Sequence, residues 1–188
     1  MKHAKKTIAE CAKIIPGVQE QKSLDDDIQM YNALLPAQLS AEGIIGEYGK
    51  IRRVLSDEVA LLQKGDVVIK RLNPDCAVVF EDNIQVVPSG NLFVIRPNKE
   101  ILDSYYLAFI LSYSQILAQI SQRSGISTKV SAVTGSQLGG CEIPLPELPV
   151  QKKLGMFWRK ANLRNLLLNK LIFENKHLLQ VITAKLYS

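Results

Sequence analysis

Histidine and cysteine are scarce in these 188 residues. His3 and His177 are the two histidines, and Cys11, Cys76 and Cys141 stand far apart with no C-x-x-C pair. No zinc set assembles from them in metal-ligand spacing, and scattered single cysteines suit a reducing compartment. Phosphate-cradling glycine loops are absent too, since neither G-x-x-x-x-G-K-[ST] nor G-x-G-x-x-G occurs. No serine or cysteine sits in a nucleophile elbow. Asn73-Pro74-Asp75-Cys76 lacks the aromatic that an adenine methyltransferase uses to hold its base. A metal-dependent nuclease motif starting at Pro74-Asp75 finds no lysine two residues after the carboxylates of Glu81-Asp82. Asp25-Asp26-Asp27 and Glu81-Asp82 read as solvated turns rather than a cation site. No catalytic machinery is written here, and the expectation is a protein that is not an enzyme. Long apolar runs are missing as well. Glu10 and Lys13 break any signal-peptide core, and Tyr105–Ile120 carries Ser112, Ser114, Gln115 and Gln119. It falls short of a membrane span, so a soluble cytoplasmic protein is expected.

What the chain does have is a C-terminal stretch, Val150 to Ser188, free of proline throughout and of glycine after Gly155. Its apolar residues recur at Leu154, Phe157/Trp158, Ala161, Leu168, Leu171/Ile172, Leu178/Leu179, Ile182 and Leu186. Spacing by three and four marks one helix face laid against a partner. At 1.5 Å per residue the stripe runs roughly 50–55 Å, longer than a small domain needs to cover its own core. Asn175 shares the seven-residue phase of Leu154, Ala161, Leu168 and Ile182, where one polar residue can fix register. Leu163, Leu166 and Leu167 widen the stripe. The bland alternative is a terminal helix folded back onto its own domain. Eight Lys/Arg against Glu174 give this stretch a net +7, which leaves −2 for the first 149 residues of a chain whose total is +5.

Upstream, Thr7 to Ile15 has the spacing of a short amphipathic helix ended by Pro16-Gly17. Val18 to Asp27 is polar and acidic, as in a loop. Ile28 to Leu35 suits a short strand, and glycine-punctuated 37–53 suits an irregular segment or one hairpin. A turn at Leu62–Asp66 leads into the strand Val67-Val-Ile; Ala77–Phe80 and Leu92–Ile95 are two more. Helical spacing runs from Pro97-Asn-Lys-Glu to Gly125, followed by a polar loop at Ser127–Ser131. A short helix begins near Thr134 and stops at Gly139-Gly140. Three prolines make Ile143–Pro149 extended and exclude a central strand. It forms a hinge, giving a body of 1–149 and an arm of 150–188. The fold class is α+β, a globular body with a small twisted sheet and helices, followed by a long coiled-coil-type helix.

Ile143-Pro-Leu-Pro-Glu-Leu-Pro-Val-Gln151, followed by that Leu/Lys-rich helix, resembles the end of a target-recognition domain in type I restriction–modification specificity subunits. Leu62-x-x-Gly65-Asp66-Val-Val-Ile, Asn91-Leu-Phe-Val-Ile-Arg96, Asp103-Ser-Tyr-Tyr106-Leu107 and Gly125-Ile-Ser-Thr128 before Leu138 agree in order. The resemblance covers about residues 60–182 and implies a non-catalytic DNA-reading module. Family subunits carry two such domains separated by two antiparallel helices; this chain, with one of each, looks like a half-subunit. The resemblance further implies a bipartite double-stranded DNA target and partner methyltransferase subunits that modify adenine with S-adenosylmethionine. It implies a restriction subunit as a further partner, and no cofactor for the chain itself. A second copy joined through the arm would restore the two-domain geometry, with Leu154, Phe157, Trp158, Ala161, Leu168, Leu171, Ile172, Asn175, Leu178, Leu179 and Ile182 at the seam. Candidate DNA contacts on the body are Lys50, Arg52, Arg53, Lys70, Arg71, Arg123 and Lys129, with Ser127 and Thr128 as hydroxyl donors. Tyr31 and Tyr48 are weaker candidates for base contacts. Two other classes stay open: a truncated scaffold pairing with a full specificity subunit, and a small metal-dependent nuclease.

Overall fold

The computed structural model describes residues 4–20, 29–53, 61–113, 116 and 132–187. At its centre lies a four-stranded antiparallel sheet in the order β2 (Ala12–Pro16), β10 (Leu92–Pro97), β7 (Val67–Lys70), β8 (Ala77–Val79). Its inner strands are apolar runs rather than alternating ones, because both faces are covered. Val67, Ile69, Ala77, Val79, Phe93 and Ile95 face one cluster, in which Leu102, Tyr106, Leu107 and Leu111 of the helical side are buried. Val68, Val78, Leu92 and Val94 face the opposite cluster with Leu34, Leu62, Phe80 and Val86. On that second side lies a three-stranded sheet, β6 (Gly49–Arg53), β3 (Gln29–Leu34) and β9 (Val86–Pro88). Its β3–β6 pair is antiparallel and its β3–β9 pair parallel. On the first side lie α1 (Ile8–Cys11), α2 (Ser104–Tyr113) and α3 (Gly135–Gly139). The long helix α4 runs from Leu148 to Leu186.

The expected helix at Thr7–Ile15 is one turn, after which the chain becomes β2. The burial explains why. Ile8 and Cys11 enter the helix-side cluster, whereas Ile15 enters the opposite one, a division that a single helix face cannot make. Pairing with β10 outweighs the local helical spacing. The glycine-punctuated segment holds a short 3-10 turn (Pro36–Gln38), a hairpin of β4 (Leu39–Ser40) and β5 (Gly43–Ile44), and then β6. Strand β9 was not anticipated, because its short run ends in a proline. The turn before β7 closes with an Asp66 N–H donating to the Gln63 carbonyl at 2.9 Å, with Gly65 at φ +96, the glycine position of a type II turn. The short helix expected near Thr134 is α3, and Thr134 caps it: its hydroxyl accepts from Gln137 N–H at 3.2 Å while the Gln137 side chain accepts from Thr134 N–H at 2.9 Å. β11 (Glu142–Pro144) pairs antiparallel with β1 (Lys5–Thr7) in a two-stranded sheet, an edge role that proline-rich sequence tolerates.

One buried ion pair ties the layers. Arg96 Nε and Nη2 donate to Asp66 Oδ1 and Oδ2 at 2.8 Å each, and Nη2 also donates to the Leu61 carbonyl at 3.0 Å. Asp66 is 1% exposed, and its Oδ2 accepts a further bond from Gln63 N–H at 2.8 Å. Fork-to-fork geometry of this kind is what makes a buried carboxylate tolerable. Replacing Arg96 by Met strands that charge, and denaturant unfolding of Arg96→Met is expected to show a loss of about 3–5 kcal/mol. The double variant Asp66→Leu/Arg96→Met is expected to recover part of it.

Candidate nucleic-acid interface and the root of the arm

Alternation along β6 sends Ile51 inward and leaves Lys50 and Arg52 on the outer face, opposite Asn32 and Met30 of β3. Lys50 Nζ donates to Asn32 Oδ1 at 2.7 Å, and Arg52 Nε lies 3.7 Å from Glu20 Oε1 with both side chains about half exposed. Arg53 ends the same strand, and its side chain lies outside the described residues. An exposed two-stranded antiparallel ribbon bearing cations, an amide and the 58%-exposed Met30 can meet a nucleic-acid groove or backbone. Tyr31 is partly buried against a small cluster of Ala33, Ile51 and Val87. Tyr48 donates its hydroxyl to Asp82, and burial followed by that carboxylate pushes its ionisation above the ordinary tyrosine range.

Lys70 and Arg71 end β7 on the other sheet. Lys70 Nζ is engaged by Asp75 Oδ2 at 2.9 Å. Burial raises the Asp75 carboxyl, but hydrogen bonds from Lys70 and Cys76 outweigh it and hold the group below its usual range. The Cys76 thiol, buried beside that carboxylate, is pushed up to about 12. Arg71 places its guanidinium 5.8 Å from the Phe93 ring centroid, and its carbonyl accepts from Val133 N–H at 2.8 Å. Leu72 bridges to Ala132. Arg123, Ser127, Thr128 and Lys129 lie outside the described residues. The structure thus brings Lys50 and Arg52 onto one face of β6, whereas Lys70 and Arg71, at and just past the end of β7 on the other sheet, turn to separate partners, Asp75 and the Phe93 ring. Among the described residues no group of three or more His, Cys, Asp or Glu is placed to hold a metal ion.

The arm leaves the body through a contact that the sequence reading missed. Gln151, Gly155 and Trp158 share one face of α4, at spacings of four and three, and all three are buried. The Gln151 amide donates to the Ile101 and Pro146 carbonyls at 3.0 and 2.8 Å, and its Oε1 accepts from Asp103 N–H at 3.0 Å. At Gly155 the helix runs so close to α2 that a Cβ would sit 2.6 Å from the Tyr106 nitrogen and 2.8 Å from Tyr105 Cβ. Trp158 was assigned to the seam with a second helix. It lies instead in the body's core at 7% exposure, because its ring fills the space beside α2 and β8. Arg159 then pairs with Glu81 at 2.9 Å and stacks over Tyr105, whose ring centroid is 5.0 Å away and whose hydroxyl also donates to Glu81. A lone glycine in an otherwise helix-favouring run, four residues after a glutamine that follows prolines, was the available signal.

Beyond this root the helix projects. Leu154 and Phe157 are exposed and Ala161 is partly buried, while every residue from 163 to 187 is exposed, including Leu168, Leu171, Ile172, Asn175, Leu178, Leu179 and Ile182. No helix among the described residues is long and apolar enough to cross a membrane.

A family model described as the type I restriction modification DNA specificity domain matches residues 46–170. Over 120 residues the chain is 26% identical to the putative type I restriction enzyme MjaX specificity subunit of Methanocaldococcus jannaschii, covering 58% of this chain and 28% of that protein. Its fold is similar to the HsdS subunit from Thermoanaerobacter tengcongensis, at TM-score 0.59 and 18% identity, covering 90% of this chain and 40% of that one. A chain from the study of complex assembly and conformational transition of the type I R-M system aligns at TM-score 0.66 and 16% identity, covering 96% and 43%. The type I restriction–modification S subunit from M. genitalium aligns at 0.60 and 16%, covering 93% and 42%. The chain therefore spans less than half the length of each of these proteins.

Gly155→Ala gains about 1 kcal/mol of helix propensity, but overpacking against backbone typically costs about 1–3 kcal/mol. The variant is expected to be less stable overall. Its single tryptophan, Trp158, is expected to emit at longer wavelength and be quenched more readily by acrylamide, with Lys153→Ala unchanged in both respects.

Proposed function

The chain belongs to the type I restriction modification DNA specificity family, and on that premise we propose that it is a non-catalytic reader of double-stranded DNA for a type I restriction–modification system. The observation that carries this reading is the joint occurrence of a family match running from β6 into α4 and an arm whose outer 25 residues are all exposed. The body reads; methyltransferase subunits, loaded with S-adenosylmethionine, modify adenine, and a restriction subunit joins where cleavage is required. On the body, Lys50 and Arg52 are assigned to DNA contact, with Arg53, Lys70, Arg71, Arg123, Ser127, Thr128 and Lys129 as further candidates. Base-edge hydrogen bonds from such residues discriminate by about 1–3 kcal/mol each, while phosphate contacts position the duplex.

The partner of the arm is assigned to a second copy. Leu168, Leu171 and Ile172 stand seven, four and three residues before Asn175, and Leu178, Leu179 and Ile182 stand three, four and seven after it. This apolar pattern reads the same in both directions. Two antiparallel copies related by a two-fold axis need that property, because each then meets its own pattern reversed. Such a dimer holds two recognition bodies apart and implies a split, inverted-repeat target. About two turns of the helix nearest the body are already consumed by Gln151, Gly155 and Trp158, so pairing uses the outer portion.

Two measurements test the reading. Together with the methyltransferase subunit, the chain is expected to direct methylation to a bipartite site, and exchanging residues 1–149 for another family body is expected to move that site. A methylation pattern indifferent to the exchange would remove the reading function. Light scattering is expected to give twice the chain mass, falling to a monomer on Leu171→Glu/Leu178→Glu; a monomeric parent at high concentration would remove the self-pairing.

A further inference from the structure

Two of the cations named from sequence are engaged by carboxylates of the chain: Arg52 lies by Glu20, and Lys70 is held by Asp75. A different set is not. Lys64 in the turn before β7, Lys99 in the turn before α2 and Lys152 in the first turns of α4 line one cleft of about 410 Å³ where the arm leaves the body. All three side chains are exposed, and none has an ion-pair partner among the described residues. Lys99 Nζ makes one long bond, 3.4 Å to the Lys64 carbonyl. The acids of the same cleft are committed elsewhere. Glu81 is held by Arg159 and Tyr105, and Asp103 Oδ1 accepts from Tyr106 N–H at 2.9 Å. The Ser104 hydroxyl donates to the Gly65 carbonyl at 2.6 Å, so the floor of the cleft is satisfied internally.

Three like charges drawn from three separate segments repel one another, and among the described residues none of them is held in an ion pair, though the Asp103 carboxylate lies in the same lining. We propose that this cleft is a backbone anchor, in which Lys64, Lys99 and Lys152 together hold phosphates of duplex DNA. The assignment rests on the DNA-reading function above and adds to it a site that lies off the ribbon face. A body with a net charge of −2 over residues 1–149 draws phosphate affinity from a local concentration of cations, and this cleft supplies one. Its place at the arm's root gives it a second role. A duplex held there is fixed in register to the helix that sets the distance to the other recognition body.

The test is the salt dependence of binding by the full-length chain to a fluorescein-labelled 30-base-pair duplex of arbitrary sequence, since backbone contacts do not need the target. Lys64→Ala/Lys99→Ala/Lys152→Ala is compared with the parent and with the charge-matched Lys5→Ala/Lys6→Ala/Lys13→Ala. Trp158 emission and light-scattering mass confirm that each variant is folded and assembled. Loss of three phosphate contacts is expected to make the slope of log K against log salt shallower by about 2.7, with the control set unchanged. Equal slopes for parent and cleft variant overturn the assignment while leaving the reading function intact. Equal losses in both triple variants also overturn it, by showing a general charge effect. Unchanged DNA binding combined with loss of the methyltransferase-subunit complex overturns it in favour of an acidic protein surface. A parent chain with no salt-dependent DNA binding overturns the function and this site together.

Discussion

The close approach of α4 to α2 at Gly155 is the constraint from which the rest of the arrangement follows. With no side chain at that position the two backbones meet at a distance that any Cβ would prevent. Gln151 on the preceding turn can then reach the backbone of three different residues, and Trp158 on the next can enter the core. Arg159 closes the contact from outside through Glu81 and the Tyr105 ring. The direction in which the remaining helix leaves the body is therefore set by packed backbone and buried hydrogen bonds rather than by a loose proline-rich joint. A helix 39 residues long keeps a defined direction from the body only when its root is held in this way.

That root stands on a body whose layers are themselves locked. The central sheet is apolar on both faces, so slipping any strand by one residue exchanges residues between two distinct clusters. Asp66 and Arg96 add a directional element: the pair can form only when the turn before β7 and the end of β10 are both in place. The three-stranded sheet beyond offers its β3–β6 ribbon to solvent, and the helical layer carries the arm. The cation-bearing ribbon and the long helix are thus mounted on opposite sides of one sheet.

Much of this was legible in the residues. The runs Val67-Val-Ile, Ala77-Val-Val and Leu92-Phe-Val-Ile announced buried strands, Thr134 and Gly139-Gly140 bracketed a short helix, and the apolar repeat without glycine after Gly155 announced α4. Trp158 misled because periodicity reports that a face is apolar but not which neighbour covers it. The first turns of α4 cover themselves on α2, while the later turns continue the same phase in solvent. Gln151 was read as part of a motif without a role, since a buried amide is recognisable only when its three backbone partners, 101, 103 and 146, are seen to converge. The lysines of the cleft were invisible for the same reason, being far apart in the chain and ordinary one by one. Ile8 and Ile15 misled in the opposite way, by sharing a helical phase that the fold divides between two faces.

The outer half of α4 has a consequence for how the molecule would live in a cell. A helix of about two dozen residues with no side chain buried is only marginally ordered in water, and it displays leucines that favour sticky, indiscriminate association. Order in that segment is then linked by mass action to abundance. At low abundance the segment stays unpacked and open to clipping by proteases; at high abundance whatever covers the stripe also orders it.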